Sequence, residues 1–373
     1  MALLNILREL SELGGNTILV AIRSKNISHI KQPQIRILSI PLRSLPLISP
    51  VLFTLVLVFF LPFYVIVSKP DFVIFDPGVH ILGALPALLV AKFRKVKFVL
   101  DIRTTPVELV GFHGFLHRFW FSLSVLLAKK SFNGITIITS SMKKEVCNDF
   151  DLNPDKVGVW TSGVSDTLFN PENLKFKKED LRRKLALTGK FVIFYHGVFT
   201  ATRALTETIE AIRILIPKYS NVVFFLLGTG PMVGELRTEI QAKSLQENVI
   251  IHDPVDQSEV PNFISICDVC IVPLPNHPYW RYQSPLKLLE YLAMRKVVIL
   301  TDIPAHRSVV GKETCGIYIS SVNPSEIAKA MEYAYNNKEN LEDWGKIGRK
   351  IIKEKYTWPR VAKDLEKYLL SIE

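Results

Sequence analysis

Cysteine is scarce: Cys147, Cys267, Cys270 and Cys315 are the only four in 373 residues. With no secretory signal read at the start of the sequence, so few cysteines fit a reducing cytosol rather than a disulfide framework. Cys267 and Cys270 form a lone Cys-x-x-Cys, and zinc sites usually add a second pair or histidines. Their apolar surroundings predict core packing. No convincing paired-aspartate metal motif occurs: Asp149 and Asp151 have the spacing but sit in what reads as a polar helix end. No Gly-x-Gly-x-x-Gly follows a strand with an acidic residue about 20 positions on, which disfavours a nicotinamide-dependent dehydrogenase. No internal repeat or low-complexity tract stands out. Acidic residues are sparse in the first 144 positions, where 17 Lys+Arg face 6 Asp+Glu and so account for the whole net charge of +11. Such a basic half suits an anionic lipid surface or a phosphorylated substrate, or is simply a soluble basic surface. A nucleic-acid partner is not expected, because no recognised binding motif accompanies the charge.

The length predicts two domains. Residues 3–13 read as a helix stopped by Gly14 and Gly15, followed by a strand at 17–22. Further strands are predicted at 72–75, 97–102 and 135–139, with helical stretches between them. This alternation argues for a parallel sheet covered on both faces. Residues 48–67 carry no charge over a length near that of a bilayer span. Pro50 and Pro62 interrupt them, and the alternation needs both flanks on one side of any membrane. A buried core helix is the expectation; a helix embedded in one leaflet and a true span are the alternatives. Apolar residues in 81–90 and 112–127, near His113, His117 and Arg118, suit contact with an anionic membrane surface. Two strand ends look chemical: Asp76 to His80, and Asp101 with Arg103. Asp101 and Arg103 would serve as acceptor-side base and anion contact, or else as a strand-end salt bridge.

A polar stretch around Pro171 precedes a second alternation, with strands at 191–196, 222–227, 249–252, 269–272 and 297–300. Three strand ends stand out. His196-Gly197-Val198 leads to Arg203 just before a helix, where amides and a guanidinium fork would favour a phosphate. Gly228 and Gly230 would let a ligand approach the backbone, though a plain turn is the commoner meaning of Gly-x-Gly. In Ser284-Pro285-Leu286-Lys287-Leu288-Leu289-Glu290, Pro285 is placed near the first position of a helix. Lys287 would then oppose the helix dipole unless an anion sits there. Glu290, three residues on, would accept hydrogen bonds from neighbouring hydroxyls; the alternative is a surface Lys–Glu pair.

Residues 191–358, above all the run from Ser284 to Pro304, resemble the C-terminal domain of family 4 retaining glycosyltransferases. Residues 162–171 resemble that family's interdomain segment, and residues 20–155 its N-terminal domain more weakly. The resemblance implies the α/β GT-B fold, two doubly wound Rossmann-like domains facing across a cleft. Residues 1–170 would form the acceptor-side domain and 171–373 the nucleotide-sugar domain, the last helix crossing back. It implies a retaining hexosyl transfer from a nucleotide-diphosphate sugar to a hydroxyl acceptor, with no cofactor and no required metal; the apolar, basic N-terminal half suggests a lipid-linked or polysaccharide-precursor glycan as that acceptor. In that scheme Glu290 holds the ribose. Lys287, Arg203 and the amides around Ser284, Pro285, Leu286 and Leu288 meet the diphosphate. Gly197, Gly228 and Gly230 border the donor, and the backbone at Pro254 and Val255 borders the base. Asp76, Asp101 and Arg103 lie on the acceptor side, with Asp101, Arg203, Lys287 and Glu290 as the catalytic set. The place would be the cytoplasm, on the inner face of the cell membrane. Three departures from the family pattern stand out: Tyr282 where a sugar-contacting glutamate is usual, Val198 where an arginine is usual, and no counterpart to the family's first strand and its glycine-rich loop. A catalytically silent binding protein of the same fold is the alternative.

Overall fold

The computed structural model describes residues 2–22, 35–42, 48–106, 111–174 and 177–372. The chain divides into two compact units, Met1–Ser162 with Trp358–Glu373, and Gly163–Thr357. Positions 175 and 176 of the polar stretch expected between domains lie outside the described residues.

In the first unit, α1 (Ala2–Glu12) precedes a parallel pair, β1 (Ile18–Ile22) and β2 (Arg36–Ile40). After α2 (Ile48–Ser68) come β3 (Phe72–Phe75), a 3-10 turn (Val79–Gly83), α3 (Ala84–Arg94), β4 (Lys97–Ile102), α4 (Gly111–Ser131), β5 (Gly134–Ile137), α5 (Ser140–Phe150) and β6 (Val157–Val159). Strands β3 to β6 form one parallel sheet in chain order. The expected core helix at 48–67 is a correction. Only Ser49, Thr54, Leu57, Leu61 and Val65 of α2 are buried, one face of a helix that is apolar all round.

The final helix, α15 (Trp358–Ser371), packs on this unit beside α1, with Trp358, Leu365 and Leu369 sharing a cluster with Ile6 and Val99. Its Tyr368 hydroxyl donates to the Lys156 carbonyl at 2.7 Å and accepts from the Ile135 amide at 3.1 Å. Glycine is required beneath it: a Cβ at Gly158 would stand 2.5 Å from the Tyr368 ring.

The second unit runs through α6 (Lys178–Lys184), β7 (Phe191–Val198), α7 (Leu205–Leu215), β8 (Val222–Thr229), α8 (Val233–Ala242), β9 (Val249–His252), α9 (Val260–Ile266), β10 (Val269–Val272), α10 (Pro278–Arg281), α11 (Leu286–Ala293), β11 (Val297–Thr301), α12 (Pro304–Val310), β12 (Gly316–Ile319), α13 (Pro324–Asn336) and α14 (Leu341–Ile351). Its six strands are parallel, in the order β12-β11-β10-β7-β8-β9. Successive side chains leave opposite faces. Val192 and Phe194 therefore enter one core cluster and Ile193 and Tyr195 the other. Burial on both faces explains the continuous apolar runs of these strands. Cys267 and Cys270 lie in the first cluster, their sulfurs 3.4 Å apart. Residues 163–170 belong to this unit because Val164 bridges Thr357 and Phe169 is buried in the same cluster. The buried Arg349 donates to the carbonyls of Phe169 and Ala293 at 2.6 and 2.7 Å, holding the segment in place.

Candidate functional site

The chain leaves β7 toward β8 on one side and returns through β10 on the other. The strand order therefore reverses between β7 and β10, and open α/β sheets bind ligands at the carboxyl ends of strands at such a point. His196, Gly197 and Val198 end β7, and α10 and α11 follow β10.

Pro285 is the N-cap residue of α11, so the helix begins at Leu286, one residue later than a proline at the first position would give. No side chain caps it. The first amides of a helix have no carbonyl partner within it, and the helix dipole adds to their positive field. Lys287 lies in this first turn. Its Nζ stands 3.9 Å from the Tyr195 ring centroid. A Cβ at Gly197, where φ is 127°, would come within 3.2 Å of that Nζ, so glycine keeps the space open. Burial, then the Arg203 guanidinium, push the Lys287 ammonium well below its usual range, while Glu290 opposes them. Arg203 closes the 3-10 turn Ala201–Arg203 ahead of α7, and its guanidinium carbon lies 4.1 Å from the Trp280 ring centroid. Its Nε and the Trp280 indole nitrogen are both buried without hydrogen-bond partners. Among the described residues, neither Lys287 nor Arg203 meets a carboxylate or any other acceptor. Two cations, an uncapped helix start and orphan N–H donors converge, and none of them is hydrogen-bonded to an anion among the described residues.

Glu290 is the organised acid of the site. Its Oε2 lies 2.9 Å from His196 Nε2, and both side chains are 14% exposed. His196 Nδ1 lies 3.0 Å from the Tyr291 hydroxyl, which accepts from the His196 amide at 2.9 Å. One proton arrangement satisfies all three contacts: the amide donates to the hydroxyl, the hydroxyl to Nδ1, and Nε2–H to Glu290. Burial holds the Tyr291 phenol well above its ordinary range, so it keeps the proton it donates. The second carboxylate oxygen of Glu290 has no protein donor among the described residues and can receive a ligand hydroxyl.

The remaining expected donor residues lie close by in the fold. Leu286 is exposed and Leu288 fully buried, as alternate sides of the α11 start require. Ser284 directly precedes the capping proline. Val255 follows β9, two strands from β7, packed partly against the underlying cluster. Gly228 and Gly230 have a packing reason of their own: a Cβ would fall 2.1 Å from the Gly197 carbonyl oxygen and 2.3 Å from that of Phe199 respectively. In the first unit, Asp101 is the penultimate residue of β4 and accepts from Thr136 Oγ1 and Trp160 Nε1, each at 2.8 Å. Burial raises its carboxyl, against the lowering effect of Arg103. Arg103 stacks on the Trp160 ring at 3.6 Å and donates to the Trp160 carbonyl, and burial lowers it to about 10. Asp101 thereby ties β4, β5 and the end of β6 together. Asp76 is exposed and pairs with His80 at 3.0 Å. Among the described residues no cluster of His, Cys, Asp and Glu could hold a metal ion.

His196, Tyr195, Tyr291 and Trp280 were not given roles from sequence. A histidine closing an apolar strand, and an aromatic beside each charged residue, are the signals that mark them.

Residues 177–351 match the family model described as Glycosyl transferases group 1. The uncharacterized glycosyltransferase MJ1607 of Methanocaldococcus jannaschii is 22% identical over 247 residues, covering 64% of this chain and 60% of that protein. The alpha-D-kanosaminyltransferase of Streptomyces kanamyceticus is 22% identical, covering 60% and 56%. The chain thus spans less than two thirds of the length of these curated relatives. Among solved structures, a glycosyltransferase from Rickettsia africae ESF-5 superposes with a TM-score of 0.78 at 16% identity, over 99% of this chain and 94% of that one. Anabaena Alr3699/HepE in complex with UDP superposes with a TM-score of 0.76 at 13% identity, over 99% and 96%. Residues 177–351 therefore resemble a glycosyl transferases group 1 domain, and the chain has the GT-B fold of two Rossmann-like units.

Proposed function

We propose that this chain is a glycosyltransferase of the family 4 retaining type, moving a hexosyl group from a nucleotide-diphosphate sugar to a hydroxyl. The observation that carries the reading is the unmatched positive cradle at the α11 start beside an ordered carboxylate. A diphosphate supplies the missing anion. Vicinal ribose hydroxyls suit the free oxygen of Glu290, which His196 holds in place. Val255 and Pro254 would border the base, and Ser284 and Leu286 the diphosphate.

Charge builds on the leaving diphosphate as the bond from the sugar's anomeric carbon to the phosphate oxygen breaks and the acceptor oxygen bonds to that carbon, the acceptor's hydroxyl proton leaving with the diphosphate or to solvent. Fixed cations and oriented amides stabilise it without reorganising. A cation about 4 Å from a phosphate oxygen contributes roughly 4 kcal/mol at an effective dielectric near 20. Lys287 and Arg203 therefore stand in the catalytic set with Glu290, and the scheme routes no step through a metal. The Asp101–Arg103 pair and Asp76 are assigned to the acceptor side, with Asp101 as the acceptor-hydroxyl contact. The acceptor is read as a lipid-linked or polysaccharide-precursor glycan. Four unpaired, buried cysteines support a reducing cytoplasmic setting.

Tyr282, at the position where the family pattern has a sugar-contacting glutamate, favours one rival: a chain that binds the donor and transfers nothing. A thermal-shift screen against nucleotides and nucleotide sugars, followed by donor hydrolysis and transfer assays, separates the readings. Stabilisation by one nucleoside diphosphate series with turnover supports the enzyme. Stabilisation without turnover favours the rival, and no stabilisation by any member refutes both.

A further inference from the structure

The first unit carries an apolar layer, on helices without Asp or Glu, that no other described residue of the unit is buried against. On α2, Leu55, Phe59 and Phe63 are exposed, Phe59 by 79%. On α3, Leu85, Leu89 and Phe93 form an exposed stripe at four-residue spacing, Phe93 by 89%. On α4, Phe112, Phe115 and Phe119 do the same at helical spacing, Phe112 by 74%.

These three helices are neighbours. Strands β3, β4 and β5 are adjacent and parallel in chain order. Right-handed crossovers then place α3 and α4 on one face of the sheet. Ser124 of α4 accepts from the Gly78 amide at 3.1 Å, just ahead of the 3-10 turn that leads into α3. Leu57 of α2 packs so closely on that turn that a Cβ at Gly83 would stand 2.6 Å from its own Cβ. Thr54, Leu57, Leu61 and Val65 commit one long side of α2 to its own unit. The helix is long and apolar enough to cross a membrane, but a span surrounded by lipid would uncover that side.

Charge selects the occupant. Helices α2, α3 and α4 contain no Asp or Glu, and exposed Lys92, Lys95 and Lys130 flank the stripes. A second copy docking through the same patch would bring like charges together. We propose that this face lies in the plane of an anionic phospholipid leaflet, with α2 and the phenylalanines of α3 and α4 immersed at the boundary between headgroups and acyl chains. Apolar burial supplies the hold, and the lysines select anionic headgroups. The proposal is independent of the donor-site reading.

The test is flotation of the full chain with vesicles of phosphatidylcholine containing phosphatidylglycerol, against phosphatidylcholine alone, without donor. Binding to the anionic vesicles is expected to be at least ~10-fold tighter and to weaken with salt. Phe59→Ser with Phe63→Ser should reduce it by ~30-fold or more. Lys92→Glu with Lys95→Glu should remove the preference for anionic lipid. Both double variants should keep the wild-type melting temperature and the wild-type nucleotide response measured without vesicles. Equal binding to both vesicle types overturns the proposal. So does a dimer broken by the phenylalanine changes in a chain that vesicles do not retain.

Discussion

Lys287→Met removes a cation that costs the protein stability and that a bound diphosphate would need, so it should move stability and affinity in opposite directions. Lys287 is partly buried, sits in the first turn of α11, lies near Arg203 and makes no hydrogen bond among the described residues. Its pKa is lower folded than unfolded, so the unfolded state binds more protons in the window between the two values. Stability then rises with pH through that window, and below it the charged lysine is a net cost. A cation at a helix start costs about 0.3–1 kcal/mol, and desolvation beside a like charge adds to this. Methionine keeps the aliphatic length against Tyr195 and should raise stability by about 1 kcal/mol, an increase in Tm of about 2–4 °C for a unit of this size. The same change deletes a charge-assisted hydrogen bond to the diphosphate, about 1.5–3 kcal/mol. Nucleoside diphosphate affinity should fall roughly 10- to 100-fold. Differential scanning calorimetry and isothermal titration calorimetry read the two effects. A variant that melts lower and binds the nucleotide as tightly as wild type would show that Lys287 neither costs stability nor contacts the diphosphate.

His196→Phe keeps the ring volume but releases Glu290 and the Tyr291 hydroxyl; donor affinity should drop about 10-fold, and unchanged affinity by titration would show that Glu290 needs no orientation. Gly197→Ala places a methyl 3.2 Å from Lys287 Nζ at a φ of 127°; it should cost more than about 1 kcal/mol and blunt nucleotide binding, both visible in a thermal-shift titration. His306 is buried and held at about 4 chiefly by desolvation, against the opposing hydrogen bond to the Thr301 carbonyl. It is neutral when folded and protonates more readily when unfolded. Its contribution is therefore intact above pH ~6.5 and is lost as pH falls toward 4, up to about 3 kcal/mol. Urea midpoints across that range should fall more steeply for wild type than for His306→Gln, and parallel slopes would refute the assignment.

The second unit's sheet was legible because parallel strands buried on both faces leave unbroken apolar runs bounded by turn residues. Residues 191–195 and 222–227 could hardly be anything else. The α11 start was legible through local chemistry, a proline followed by a lysine that the dipole penalises. Contacts distant in sequence were not legible. No spacing rule joins His196 to Glu290, or Arg203 to Trp280, because the crossover topology alone brings them together. Asp101 illustrates the reverse: a polar strand end that looked chemical also has two neutral donors, Thr136 on the adjacent β5 and Trp160 just past β6. The run at 48–67 failed as a core assignment because a helix apolar on every side carries no periodicity to say which face is buried. Gly228 and Gly230 matched a ligand-approach pattern, yet the backbone they admit is the chain's own.

The central claim is that the α11 start grips a diphosphate while Glu290 takes the ribose. A crystal structure of the chain soaked with the nucleoside diphosphate that stabilises it most tests this directly. Phosphate oxygens are expected at ~2.7–3.1 Å from the Leu286 and Lys287 amides and from Lys287 Nζ or Arg203, with a ribose hydroxyl on the free Glu290 oxygen. Nucleotide density away from α11, with Lys287 and Arg203 still unmatched, would contradict it.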